Sequence, residues 1–272
     1  MQIDYILKKL KKFLDIKNKL NISDHFKKQL SKEFNYQWKH LLDPKSLKSQ
    51  EDMYECNEKR IKEFLNLVKI RPFYKKKNFF SGKYCLDAGC GPGRWTCALL
   101  KLRAKKVDSF DISEEAINRC KKINHDAYVF NILDLKPNST YDFVLSWGVI
   151  HHNKEPREVF SKLVSQVKNG GMLHIMVYDK KNDPYYEGYR GNITDKRNSW
   201  KTLTLDEQLT ICKEFTNRKG GNIHGWFDAL NPDYNWSFDK EEIKQWFIEE
   251  GFTNIHEGDM KFNVNVNGVL KK

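Results

Sequence analysis

Residues 84–95 read Tyr-Cys-Leu-Asp-Ala-Gly-Cys-Gly-Pro-Gly-Arg-Trp, an apolar run that ends in an acid and three glycines at alternate positions. The apolar half predicts a buried strand, and the residues from Gly93 onward predict a helix. The glycines therefore fall at a strand-to-helix junction, where lack of a Cβ lets the chain turn sharply and approach a ligand. The first N–H groups of the helix face whatever binds beyond the strand end. The spacing is D-x-G-x-G-x-G. Arg94 stands where a dinucleotide turn would need its last glycine, and no G-K-[ST] follows, which argues against a P-loop. Asp87 offers a carboxylate to a ligand cation, and the glycine backbone offers donors to a ligand carboxylate. A zwitterionic amino acid joined to a nucleoside meets both demands.

Outward from this turn, short apolar strands alternate with amphipathic helices. Strands are expected at 83–88, 106–111, 127–132, 141–147 and 171–178, and helices at 93–102, 114–123 and 155–168. Such alternation implies a parallel sheet with helices on both faces. Asn169-Gly170-Gly171 stops a helix and turns into the next strand. Residues 179–201 carry Pro184, Gly188 and Gly191 among polar and aromatic residues and read as a loop or lid. Helical patterns return at 204–218 and 239–250, with His224-Gly225-Trp226 in a loop between them. The tail 261–270 alternates cleanly, as a final strand with one wet face does.

Upstream, 51–69 reads as a helix after a break at Pro44, and 3–20 as a basic amphipathic helix. The latter is expected to pack on the domain or a partner, with weak membrane-surface contact as the other reading. The chain has 272 residues and a formal charge of +12. Residues 1–80 hold 20 Lys/Arg against 10 Asp/Glu, and residues 81–272 hold 28 against 26, so the excess is N-terminal. A Lys-biased solvated surface explains it more simply than a nucleic-acid groove. No apolar run spans a bilayer and no signal-peptide pattern opens the chain. The six cysteines form no C-x-x-C pair, so reduced thiols in a cytoplasmic protein are expected and a metal site is not.

The stretch 84–95 resembles motif I of class I S-adenosylmethionine-dependent methyltransferases, and the motifs that follow keep the family's order. That resemblance implies a Rossmann-like α/β fold: a seven-stranded, mostly parallel sheet with helices on both faces and an antiparallel final strand. An N-terminal helical extension over 1–80 precedes the methyltransferase domain at 81–272, with a lid or insert at about 179–235. It implies S-adenosylmethionine as cofactor, held by Asp87, Gly89, Cys90, Gly91 and Gly93, then by Asp111 and Ile112 at the ribose. Ser113 is the better N-cap for the helix after Asp111, which leaves that carboxylate for ribose. The adenine contact falls on Asn131-Ile132, where the family usually has an acid, or on Asp134; both assignments stay open. Ser146 and Trp147 end the fourth strand beside the methionine portion.

Phe34-Asn35-Tyr36-Gln37-Trp38 is similar to an F-G-Y-Q-W element of a bacterial subset of this family. His224-Gly-Trp-Phe-Asp228-Ala-Leu-Asn-Pro232 is similar to that subset's W-F-D-x-x-x-P ending. Members often serve surface-polysaccharide or secondary-metabolite pathways, which implies a small polar acceptor: oxygen of a sugar, a sugar nucleotide or a related metabolite. His151 and His152, at a strand C-terminus, are the candidate bases, because imidazole is neutral and available near pH 7. Tyr178, Asp179, Tyr185, Tyr186, His224 and Trp226 are candidate acceptor contacts. Trp38 covers the cofactor or belongs to the helical core. The competing functions are an RNA or protein methyltransferase that uses the basic N-terminal region, and a non-catalytic cofactor-binding scaffold.

Overall fold

A computed structural model describes residues 24–25, 27–40, 56–68, 78–181, 199–258 and 263–271. The amphipathic segment 3–20 and most of the expected lid, with Tyr185 and Tyr186, lie outside the described residues.

Helix α1 spans 27–40 and α2 spans Glu58–Val68. The alternating region follows as β1 (Tyr84–Ala88), α3 (Arg94–Lys101), β2 (Lys106–Asp111), α4 (Glu114–Cys120), β3 (Tyr128–Val129), β4 (Tyr141–Trp147), α5 (Pro156–Val164) and β5 (Val167–Asp179). The remainder is α6 (Leu205–Lys219), α7 (Ile223–Leu230), β6 (Ser237–Phe238), α8 (Lys240–Glu249), β7 (Phe252–Glu257) and β8 (Asn263–Leu270). The sheet runs β3-β2-β1-β4-β5-β8-β7, with the two-residue β6 paired to the end of β5. β8 is antiparallel to both β5 and β7. The mostly parallel Rossmann-like arrangement expected from the sequence is present, with eight strands where seven were anticipated. β3 keeps two residues of the 127–132 prediction, and β7 is a strand that the sequence pattern did not suggest.

Strand order reverses between β1 and β4. Helix α3, which connects β1 to β2, lies on one face and α5, which connects β4 to β5, lies on the other, so the two connections diverge beyond the strand C-termini, where α/β sheets bind ligands. One face of the sheet packs Leu86, Val144 and Leu173 against Phe160 and Leu163 of α5 and Ile243 and Phe247 of α8. The opposite face packs Cys85, Phe143 and Leu145 against Phe64 of α2 and Trp95 and Leu99 of α3. A separate apolar cluster joins α6 to α7 through Cys212, Trp226 and Phe227.

Three sequence expectations are corrected. The asparagine face of β8 is dry: Asn265 and Asn267 are 0% and 1% exposed, because α2 lies on it. Their side-chain amides donate to Leu67 O (2.8 Å) and Val68 O (2.9 Å), serving carbonyls at the helix end that lack intrahelical partners. Residues 223–230 are helix α7 and not a loop; Asn222 caps it by accepting the Gly225 N–H at 2.8 Å. Finally, Cys56 and Cys97 form a disulfide, since α2 packs on α3 and brings their Cα atoms to 5.7 Å. The other four cysteines are free and buried.

Candidate active site

Each glycine of the turn adopts a positive φ: 77° at Gly89, 52° at Gly91 and 95° at Gly93. That region is costly for any residue with a Cβ. Gly89 is also crowded, because an added Cβ would stand 2.2 Å from Val149 Cγ2, across the gap between β1 and β4. A Cβ on Gly93 would meet Cys120 Sγ at 3.0 Å, and one on Gly91 would meet the Trp38 ring at 3.4 Å. Gly89 and Cys90 both donate their N–H to Phe110 O (2.8 and 2.9 Å), which ties the turn to the end of β2. Cys90 Sγ lies 3.8 Å from Cys120 Sγ, and that contact together with burial drives the Cys90 thiol far above its ordinary value.

Asp87 is buried beneath the turn, and its Oδ2 accepts the Thr96 hydroxyl at 2.6 Å. Burial pushes its carboxyl up to about 7, partly offset by Thr96. Asp111 ends β2, accepting the Gly91 N–H at 2.9 Å on one oxygen and the Ser113 N–H at 2.9 Å on the other. Burial raises Asp111 as well. Ser113 caps α4 by accepting the Ala116 N–H, as expected. Asn131 spends its side-chain oxygen on the Leu133 N–H (2.9 Å), so its amide nitrogen, and not its carbonyl, has no protein partner. Ile132 is buried beside it, and Asp134 is ion-paired with Lys27. Ile112 lends its carbonyl to the Ser31 hydroxyl at 3.1 Å. At the end of β4, Ser146 Oγ is buried without a hydrogen-bond partner, while Trp147 turns away to stack on His174 and meet Trp95 edge to face.

Helix α1 closes this side. Asn35 Oδ1 accepts the Ser113 hydroxyl at 2.8 Å, Arg119 donates to Trp38 O at 3.1 Å, and the Trp38 ring lies over Gly91. Trp38 is half-buried, with its ring against the turn. It also lies beside His224 of α7, with ring centroids 6.2 Å apart; burial pulls the His224 imidazole below its ordinary value. Glu33 anchors the same helix to the segment after α7, through Lys201 (2.7 Å) and the Asp233 N–H (3.1 Å).

His151 and His152 lie together on a single 3₁₀ turn, Ile150–His152, directly after β4 and fully buried. Their ring centroids are 4.2 Å apart, and His151 lies 3.9 Å from the Tyr178 ring at the end of β5. His152 Nε2 is 3.6 Å from Asp228 Oδ1, and its Nδ1 is 3.3 Å from Tyr234 O. Asp228, on α7, also accepts the Tyr178 hydroxyl and, at 3.0 Å, the Gln37 amide from α1. The 3₁₀ turn, β5 and α1 thus converge on one carboxylate of α7 beside the strand ends. Asp179 accepts the Lys181 N–H at 2.9 Å and points along its own loop. Trp226 lies inside the α6–α7 cluster, donating to Gly220 O at 2.9 Å. Gln37 was not singled out from the sequence as a site residue, although it and Asp228 belong to the two elements that carry the subset resemblance. Among the described residues, no three His, Cys, Asp or Glu side chains are grouped to hold a metal ion. No described helix is long and apolar enough to cross a membrane.

The sheet order, the glycine turn at its reversal point and the acid ending β2 define a class I methyltransferase, an enzyme class whose methyl donor is S-adenosylmethionine. Residues 56–257 match the family described as "Methyltransferase domain", and the chain belongs to that family. It is similar to the tRNA U34 carboxymethyltransferase of Campylobacter fetus, 22% identical over 200 residues, covering 71% of this chain and 67% of that protein. It is also similar to the enzyme of the same name from Shewanella oneidensis, 33% identical over 96 residues, covering 32% of this chain and 29% of that protein. The matched region thus spans about two thirds of the first relative and under a third of the second. An S-adenosylmethionine-dependent methyltransferase from Listeria monocytogenes shares the fold at a TM-score of 0.50 and 16% identity, covering 79% of this chain and all of that one. A chain from a Haloferax volcanii complex with the Trm112 methyltransferase activator does so at 0.51 and 14%, covering 83% and 93%.

The residues present suit the donor. Three positive-φ glycines leave a Cβ-free path, Asp111 keeps lone pairs on both oxygens for ribose hydroxyls, and the Asn131 amide is an unused donor within the same rim.

Proposed function

We propose that this protein methylates an oxygen of a small polar acceptor, namely a sugar, sugar nucleotide or related metabolite, with His151 as the base. Asp87, Gly89, Cys90, Gly91, Gly93, Asp111, Ile112, Asn131, Ile132 and Ser146 form the donor side in this reading. Bound S-adenosylmethionine supplies an electrophilic methyl group on a sulfonium. The chain's part is to hold the acceptor hydroxyl in line, to exclude water and to receive its proton. Alignment alone is worth roughly 7–11 kcal/mol in such reactions.

The observation that carries the base assignment is the His151–His152–Asp228–Tyr178 cluster at the ends of β4 and β5. Nε2 and Nδ1 of His152 lie toward Asp228 Oδ1 and Tyr234 O, which fix the orientation of its ring. His151 lies between that ring and Tyr178, and it takes the hydroxyl proton as the new O–C bond forms. His151→Ala should lower turnover about 10²–10⁴-fold while cofactor affinity is unchanged. Undiminished turnover would place the base elsewhere, and failure of the wild type to bind S-adenosylmethionine would end the proposal.

A cytoplasmic site of action, a bacterial polysaccharide context and a division into a 1–80 cap and an 81–272 domain belong to the same proposal. The relatives' names favour a second reading, a tRNA acceptor gripped by the basic N-terminal third. Binding of tRNA that weakens steeply with salt would support that reading over a small acceptor.

A further inference from the structure

Three carboxamides surround the Asp228–His152 pair, and all three are divided the same way. Gln37 donates its amide to Asp228 Oδ1 at 3.0 Å. Asn235 donates to Asp228 O at 2.6 Å. Asn153 donates to Val149 O at 3.0 Å and Ile150 O at 3.4 Å. Each nitrogen faces an oxygen that can only accept, so the orientation of every amide is dictated by its neighbour. The amide oxygens of all three are buried and have no hydrogen-bond partner, and the residues themselves are at most 2% exposed. Buried oxygens of this kind normally find a donor. Two others, on Asn265 and Asn267, lie under α2 near His174 and not at the strand C-termini.

We infer that the buried amide oxygens of Gln37, Asn153 and Asn235 are acceptors for the hydroxyl groups of a neutral polyol, and that Gln37 and Asn235 set acceptor specificity. This rests on the proposed acceptor site at His151. Three carbonyl-type acceptors ask for a ligand that brings several donors. An ammonium group would seek a carboxylate, and Asp228, which Gln37 and Asn235 contact, already accepts Tyr178 and Gln37 and faces His152. A phosphate or carboxylate would set its own oxygens against the amide oxygens and be repelled. Vicinal hydroxyls fit: each donates to an amide oxygen, and one of them presents its lone pair to the methyl group. Any anionic part of the acceptor, such as a sugar nucleotide's diphosphate, must then lie away from these three residues.

The test uses the full chain saturated with S-adenosylhomocysteine and ligand-observed NMR. The probes are a panel of methyl glycosides that differ in hydroxyl configuration, with ethanolamine and inorganic phosphate beside them. At least one glycoside should bind, and ethanolamine and phosphate should not displace it. Gln37→Met and, independently, Asn235→Leu should weaken that glycoside about tenfold with cofactor affinity held. Circular dichroism checks that each variant is folded. Absence of glycoside binding, displacement by ethanolamine or phosphate, or unchanged affinity in both variants would overturn the inference. Cofactor titration of the same samples separates the cases: lost cofactor binding condemns the donor-site reading, and retained cofactor binding without glycosides condemns only this one.

Discussion

Asp87 Oδ2 accepts the Thr96 hydroxyl at 2.6 Å, so the acid that ends β1 is bonded to the helix that follows the glycine turn. Thr96 also shares a 2.9 Å hydrogen bond with Ser109 on β2. The carboxyl that the sequence offered to a ligand cation is therefore also the brace of the turn, and burial holds it near neutrality.

Its titration gives the first prediction. Burial raises the folded value to about 7, against about 3.9 in the unfolded chain. Between these values the folded state binds more protons, so the stability contributed by this group is full below about pH 4 and is lost as pH rises through about 7. Urea denaturation of the wild type should show this decline, and Asp87→Asn should flatten it. A bound cation near Asp87 favours its ionised form, so wild-type affinity for S-adenosylmethionine should rise across the same range. Calorimetric affinities that stay parallel in wild type and variant would refute the assignment.

Asp111 carries the second. Replacing it with alanine strips an acceptor from the Gly91 and Ser113 N–H groups and removes the ribose partner. Stability should drop by about 1–3 kcal/mol, and cofactor affinity by at least about tenfold. Isothermal titration with S-adenosylhomocysteine measures it, and unchanged affinity would rule Asp111 out as a ribose ligand.

Gly89 allows a test of the turn itself. Alanine there must adopt a φ of 77° and place its Cβ against Val149, for a cost of about 2–4 kcal/mol. Adding Val149→Ala should recover the steric share and leave the backbone share. Equal melting temperatures for the single and double variants would show that Val149 does not press on the turn.

The dry face of β8 makes the fourth. Asn267→Leu leaves Val68 O without its donor and should cost about 1–3 kcal/mol. A solvent-facing asparagine would tolerate leucine within about 0.5 kcal/mol. Chemical denaturation distinguishes the two outcomes.

What the sequence determined by itself was the identity of the donor and the fold that carries it. Those features are local: glycine spacing sets a backbone path, an acid falls at the ends of β1 and β2, and hydrophobic period separates strand from helix. All three glycines do take positive φ, and Ser113, not Asp111, caps α4. Tertiary structure decided what depends on distant partners. The alternation of β8 looked half-wet because a strand pattern cannot show which layer will cover it, and α2, some 200 positions away, covers the asparagines. The 223–230 segment looked like a loop because its glycine and polar residues hide an apolar stripe that only α6 reveals. Asp228 gained its importance from His152, Tyr178 and Gln37, which lie 76, 50 and 191 positions away along the chain. Covalent neighbours fix a turn, whereas a buried carboxylate is defined by the donors that folding brings to it.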